Sequence, residues 1–221
     1  MLACYILAQE VAAQPNSGSI GSAFSISVGM GVGIHNAPFL VDYLNAYRIS
    51  QSEPRLDDFS SMLEVFVAPE LRVQPEWSCA IEYALLMKSQ TVGTSSSAGS
   101  EFSYLVHMPT AIVHYVVSDP NFFLKFGGGV GYHVATLQQK LYPYSLEDSF
   151  TASGPGFKLE AVGDTKFDET FFGSIGVDLR WDFLGTFKNA QGVEAHERTT
   201  NSTAKMRFFS ASVKFGVMFQ L

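Results

Sequence analysis

The chain has 221 residues, 47% of them apolar, enough for one sizeable domain or two small ones with a buried core. Charged residues reach only 16%, against roughly a quarter in soluble domains, while aromatics reach 14%. The net charge is −7 with Lys and Arg scattered, so the basic patch of a nucleic-acid binder is missing, and Cys4 and Cys79 make neither a disulfide framework nor a metal site.

The N-terminal MLACYILAQEVAAQ has a short apolar core and small-residue cleavage options after Ala8 or Ala13, but no basic start. Residues 1–19 are expected to be the remnant of a signal peptide and a tail, ahead of one domain over 20–221; a docked or disordered tail is the alternative. No apolar run approaches the roughly 18 residues of a spanning helix.

From Ile20 onward most of the chain alternates with period two. Strands are expected over Ile20–Ile34, Leu63–Val73, Trp77–Lys88, Phe102–Met108, Phe122–Ala135, Phe157–Ala161, Phe171–Phe183 and Phe209–Leu221. Between the first two, NAPFLVDYLNAYR (36–48) predicts a short amphipathic helix, with Asn36 as N-cap, Pro38 in the first turn, and Phe39, Leu40, Tyr43, Leu44 and Tyr47 on one side. That apolar stripe fits either packing on a rim or a lid over a mouth. Tight connections fall at 74–76, 118–120 and 163–168, long ones at about 35–58, 89–100, 137–154 and 186–204. Pro109 predicts a bulge after the fourth strand.

In the fifth strand, LKFGGGVGYHVA (124–135) resembles a phosphate loop only superficially. No Gly-Lys-Ser/Thr follows it and no helix begins after it. Gly127, Gly129 and Gly131 instead share one strand face and leave space on it, while Tyr132 points the other way.

All twelve charged residues of the predicted strands fall on the less apolar phase: Glu64, Glu70, Arg72, Glu82, Lys88, Lys125, Lys158, Glu160, Asp178, Arg180, Asp182 and Lys214. They share that phase with glycine, alanine and serine. A narrow interior wants small residues and paired charges, whereas a solvated coat has no such need. The fold class expected is therefore all-β: an eight-stranded antiparallel transmembrane barrel with short periplasmic turns, long external loops, lipid-facing aromatics and a lumenal charge network that is structural or pore-lining. A soluble lipocalin-like binder, with the faces reversed, is the competing architecture.

The C-terminal SASVKFGVMFQL, with GGGVGYH and GSIGVDLRW, resembles strands of the small Gram-negative outer-membrane β-barrels, the group of the outer-membrane protein A barrel and the outer-membrane protein W type. It differs in ending on Leu221 where Phe is usual. The resemblance implies a place in the bacterial outer membrane among outer-membrane lipid and lipopolysaccharide. It also implies recognition by the barrel-assembly machinery through the last strand, and a monomer.

His107 and His133 are expected in the lumen, and His114 also if a bulge follows Pro109, as hydrogen-bonded groups rather than metal ligands. His35 and His196 are expected in solvated loops. The lipid-facing phase offers no Ser, His and carboxylate set, so no catalytic residue, metal or cofactor is assigned. The functional expectation is a non-enzymatic barrel with a structural or surface-interaction role in its external loops; a narrow channel for small solutes is the second reading.

Overall fold

A computed structural model describes residues 23–50, 59–95, 98–142, 146–197 and 202–221; the expected signal remnant at 1–19 lies outside them. Strands β1 (Phe24–Asn36), β2 (Phe59–Gln74), β3 (Trp77–Ser95), β4 (Ala98–Asp119), β5 (Phe122–Tyr142), β6 (Leu146–Lys166), β7 (Phe171–Thr186) and β10 (Lys205–Gln220) form one closed antiparallel barrel. Helix α1 (Pro38–Ser50) follows β1, and the two-residue strands β8 (His196–Glu197) and β9 (Ser202–Thr203) pair outside the barrel. Closure is made by β1 against β10, in register from Ser25↔Gln220 to Asn36↔Phe209, so the barrel sheet has no open edge.

Alternation sorts the two faces. Ile81, Val130 and Ile175 are 56%, 59% and 57% exposed on the outer wall, while Lys158 and Arg180 are 2% and 1% exposed inside. This is the reverse of a lipocalin-like binder, and the outer wall fits lipid rather than water. Among the described residues no helix is long and apolar enough to cross a membrane.

One end carries the tight turns β2–β3, β4–β5 and β6–β7 and both described chain ends, where Gln220 N donates to Thr170 O. The last of these turns lies at 167–170, because β6 runs on to Lys166 through most of the predicted 163–168 connection. At the other end, two of the expected long loops are mostly strand: β3 and β4 extend to Ser95 and from Ala98, β5 and β6 to Tyr142 and from Leu146. These strands have 19, 22, 21 and 21 residues, about twice the 9–11 a membrane crossing needs.

That surplus length explains a reversal within single strands. Going up β5, the outward residues are Phe122, Leu124, Phe126, Val130, Tyr132 and Val134, then Thr136 and Gln138. The inward residues change oppositely, from Lys125 and His133 to Ala135 and Leu137. In β4 the inward residues above Thr110 are Met108, Val106, Tyr104 and Phe102. The apolar phase of Phe102–Met108 thus faces the interior, opposite to the lipid-facing assignment, because this part of the barrel has left the lipid and takes the ordinary polarity of a water-exposed one.

No bulge accompanies Pro109. The β4–β5 ladder skips Met108 and Pro109 and resumes at Thr110↔Gly131 in the same register, while Pro109 stays opposite Tyr83 on β3. A continuous phase puts His114 inside and turns His107 outward, where it shares a 2.5 Å hydrogen bond with Tyr83 Oη. His35 is an inward residue of β1, 2% exposed, with its ring 4.6 Å from that of Phe208. Helix α1 begins at Pro38, with Ala37 O accepting from Leu40 N and Val41 N, so Ala37 rather than Asn36 supplies the first helical carbonyl.

Candidate functional site

The interior is built on missing side chains. A Cβ on Gly127 would lie 2.3 Å from His114 Cδ2, one on Gly131 2.4 Å from His133 Nε2, and one on Gly156 2.3 Å from His133 Cε1. The alternate glycines of β5 are the space that two buried imidazoles occupy.

Nearest the tight-turn end, Lys125 Nζ lies 2.6 Å from Glu70 Oε2 and 2.9 Å from Asp164 Oδ2, with Met218 Sδ at 3.4 Å. Ser174 Oγ donates to Asp164. Higher up, Glu82 on β3 is a hub. Its Oε2 accepts from Lys158 Nζ and Lys214 Nζ, each at 2.6 Å, and its Oε1 from Arg180 Nη2 at 2.8 Å. Arg180 Nη2 also reaches Glu64 Oε1 at 2.8 Å and Asp178 Oδ2 at 3.3 Å. Lys158 Nζ lies 2.5 Å from Glu160 Oε2, whose other oxygen is 2.7 Å from His114 Nε2. Ion pairs thus cross the lumen among β2, β3, β6, β7 and β10. Removing one member of such a buried set strands an uncompensated charge, at a cost of about 3–5 kcal/mol.

Above the hub, His133 Nδ1 is hydrogen-bonded to Asp182, and His133 Nε2 lies 3.1 Å from Thr110 Oγ1. The connectivity is that of a hydroxyl, base and acid. All three residues are at most 1% exposed, so no substrate carbonyl can approach that hydroxyl, and the chain acts as an internal hydrogen-bonded strut. Over it sits an apolar layer that includes Leu86, Val106, Met108, Leu137, Met206 and Phe208. Leu40, Tyr43 and Leu44 of α1 close that layer from outside, and Tyr43 Oη donates to Gln139 Oε1 at 3.1 Å.

Of the twelve predicted lumenal charges, nine meet in these clusters: Glu64, Glu70, Glu82, Lys125, Lys158, Glu160, Asp178, Arg180 and Lys214. Asp182 pairs with His133 and makes no direct ion pair with the hub's cations among the described residues. Arg72 lies at the tight-turn mouth, 4.7 Å over the Phe123 ring, and Lys88 is a half-buried residue that donates to Ser61 O at 2.9 Å. Asp164, which holds Lys125, lies beyond the expected sixth strand, which ends at Ala161, and so is absent from the predicted set. The apolar layer is likewise absent from the expectation; its signal is polar residues appearing on the outer phase at Ser103, Thr136 and Gln138.

Two small cavities interrupt the packing. One of about 40 Å³ lies among Glu70, Glu82, His114, Lys125, Glu160 and Lys214, with room for water but not for a solute. One of about 10 Å³ lies between Arg72 and Lys125, beneath an open cup of about 810 Å³ at the tight-turn mouth. Among the described residues no group of three or more His, Cys, Asp or Glu is placed to hold a metal.

A closed barrel with an apolar outer belt, a charged interior and long hairpins at one end is a transmembrane β-barrel of the bacterial outer-membrane type. No family model matches the chain, and a search of curated proteins finds no match. Among solved structures it is similar to Neisserial surface protein A at 9% identity and a TM-score of 0.49, covering 92% of this chain and 100% of that one. It is similar also to Ail, the attachment invasion locus protein of Yersinia pestis, at 12% identity, 90% and 100% coverage and a TM-score of 0.48. The outer membrane protease OmpT from Escherichia coli matches at 4% identity, 93% and 99% coverage and a TM-score of 0.46. Values this low leave function to be argued from the residues.

Proposed function

We propose that the chain is a sealed, non-enzymatic outer-membrane barrel, whose work is done by the surfaces it presents rather than by anything passing through it. The observation that carries this reading is a double closure of the lumen. The Glu82 hub crosses it at one height, and the apolar layer under α1 fills it at another. The enclosed space between the tight-turn mouth and the hub holds water at most. A narrow conduit needs a continuous wet path, and the apolar layer interrupts it. The buried Thr110, His133 and Asp182 offer no reacting group to a substrate.

The test is conductance in planar bilayers. The intact protein is expected to show no resolved channel. Because a second closure lies below the helix, deleting residues 36–48 leaves conductance near baseline, whereas a helix acting as the sole plug makes deletion raise it. The double variant lacking 36–48 and carrying Arg180→Ala is expected to stay closed as well, because the wall's apolar layer and the Glu82 pairs with Lys158 and Lys214 remain. A stable open channel in the intact protein overturns the sealed reading in favour of the solute conduit.

A further inference from the structure

The outer wall is not uniform around the barrel. Across β1, β10, β7 and β6 a furrow of about 560 Å³ runs over Ala211, between Ile34, Val32, Val213, Leu179 and Leu159. The furrow is open along its length and lined mainly by apolar side chains, the shape an extended hydrocarbon chain fills. Above it, toward the long-hairpin end, aromatic rings form a band: Trp181 and Phe209 lie 5.4 Å apart, Phe157 and Phe183 6.4 Å apart. Above the rings, on the same outward face of β10, come Arg207 and Lys205.

The two cations are presented by a local irregularity. The β10–β7 register shifts between Met206 and Arg207, at a bulge containing Gly185 with φ of 86°. The Arg207 guanidinium lies 4.8 Å over the Phe183 ring. Neither Arg207 nor Lys205 meets a carboxylate within salt-bridge distance among the described residues, whereas Lys125, Lys158, Arg180 and Lys214 inside the barrel are each held by two or more. Arg207 stands four residues above Ala211, about 13 Å along the strand at ~3.3 Å per residue. That is the spacing from a headgroup at the interface to the upper part of its acyl chain.

The geometry points to a binding site for one phosphorylated, acylated glycolipid of the outer leaflet, of the lipid A class, with a phosphate held by Lys205 and Arg207 and an acyl chain laid in the furrow over Ala211. The order cation, aromatic ring, apolar furrow matches the order phosphate, interface, hydrocarbon in such a lipid. Charge complementarity selects an anionic head, and the position at the long-hairpin end selects the outer leaflet. The site rests on the membrane-spanning reading of the belt, which the mobility of unheated and heated samples on a detergent gel tests separately.

The experiment is native mass spectrometry of the detergent-solubilised barrel titrated with lipid A, with its dephosphorylated form, with phosphatidylglycerol and with inorganic phosphate. Lipid A is expected to bind as one copy, and the dephosphorylated form and free phosphate far more weakly. Neutralising both cations with Lys205→Gln and Arg207→Gln is expected to weaken lipid A roughly thirtyfold, at about 1 kcal/mol per cation near a lipid surface. Ala211→Phe, which fills the furrow floor and leaves the cations intact, is expected to weaken lipid A without changing the preference for phosphate. Each variant is first required to show the folded band in unheated gel samples. Equal binding of lipid A by the wild type and the double-Gln variant overturns the proposal, as does equal binding of phosphatidylglycerol or of free phosphate.

Discussion

At the scale of single residues, what decides most is where a side chain is absent. Gly131 sits where a Cβ would lie 2.3 Å from Pro109 O and 2.4 Å from His133 Nε2, so both backbone and a buried ring would have to yield. Gly128, on the opposite face of the strand and only three residues off in sequence, has nothing closer than 3.6 Å and faces outward. Gly131→Ala is therefore expected to destabilise the barrel by about 1–3 kcal/mol, the usual cost of overpacking, and Gly128→Ala to stay within about 0.5 kcal/mol. Urea titration of the refolded protein in detergent, followed by tryptophan emission, measures both. If the two variants unfold together, the glycines are not clearing space for His133. Alternation alone identified these glycines as interior spacers; it could not say that the space belongs to His114 and His133, because that depends on register between strands.

At the scale of the strand, one element carries two opposite polarities. Within the lipid β5 is apolar outside and charged or small inside, and beyond Val134 it becomes Thr136 and Gln138 outside with Ala135 and Leu137 inside. The sequence pattern was legible on each half, and the error lay in carrying one rule through Phe102–Met108 of β4. A period of two reports that two faces differ; it does not report which solvent surrounds them. The clue was length: a hairpin with strands of 21 residues overshoots a hydrocarbon band of about 25 Å. With Trp77 and Trp181 replaced by Phe, a tryptophan at Val130 is expected to be strongly quenched by lipids brominated in the acyl chain. One at Gln138 is expected to be nearly unquenched and red-shifted. Equal quenching at the two positions would place the whole of β5 in the bilayer and remove the explanation for the reversal.

At the scale of the molecule, the ion pairs around Glu82 do what no single hairpin can. Ladder hydrogen bonds join each strand to its neighbours, while Glu82 on β3 reaches Lys158 on β6, Arg180 on β7 and Lys214 on β10 across the lumen. The residue types of this brace were visible in sequence as charges confined to one phase. Its partners were not, since they depend on how the closed barrel sets distant strands face to face. Because these groups are shut away from bulk water, salt cannot screen them as it screens surface pairs. Glu82→Ala leaves three cations short of a carboxylate and is expected to cost about 3–5 kcal/mol. The readout is the temperature at which the compact band of an unheated detergent-gel sample converts to the unfolded position. That temperature is expected to fall clearly in Glu82→Ala and to be nearly the same at low salt and at about 1 M in the wild type, where the Debye length is only about 3 Å. Lys140→Ala, which breaks an exposed pair with Glu147 at 3.9 Å, serves as the surface control and is expected to leave the transition unmoved. A wild-type transition that drops with salt as far as the Glu82 variant's would mean that the brace is solvated, and the barrel would then have to be held by its ladders and apolar layer alone.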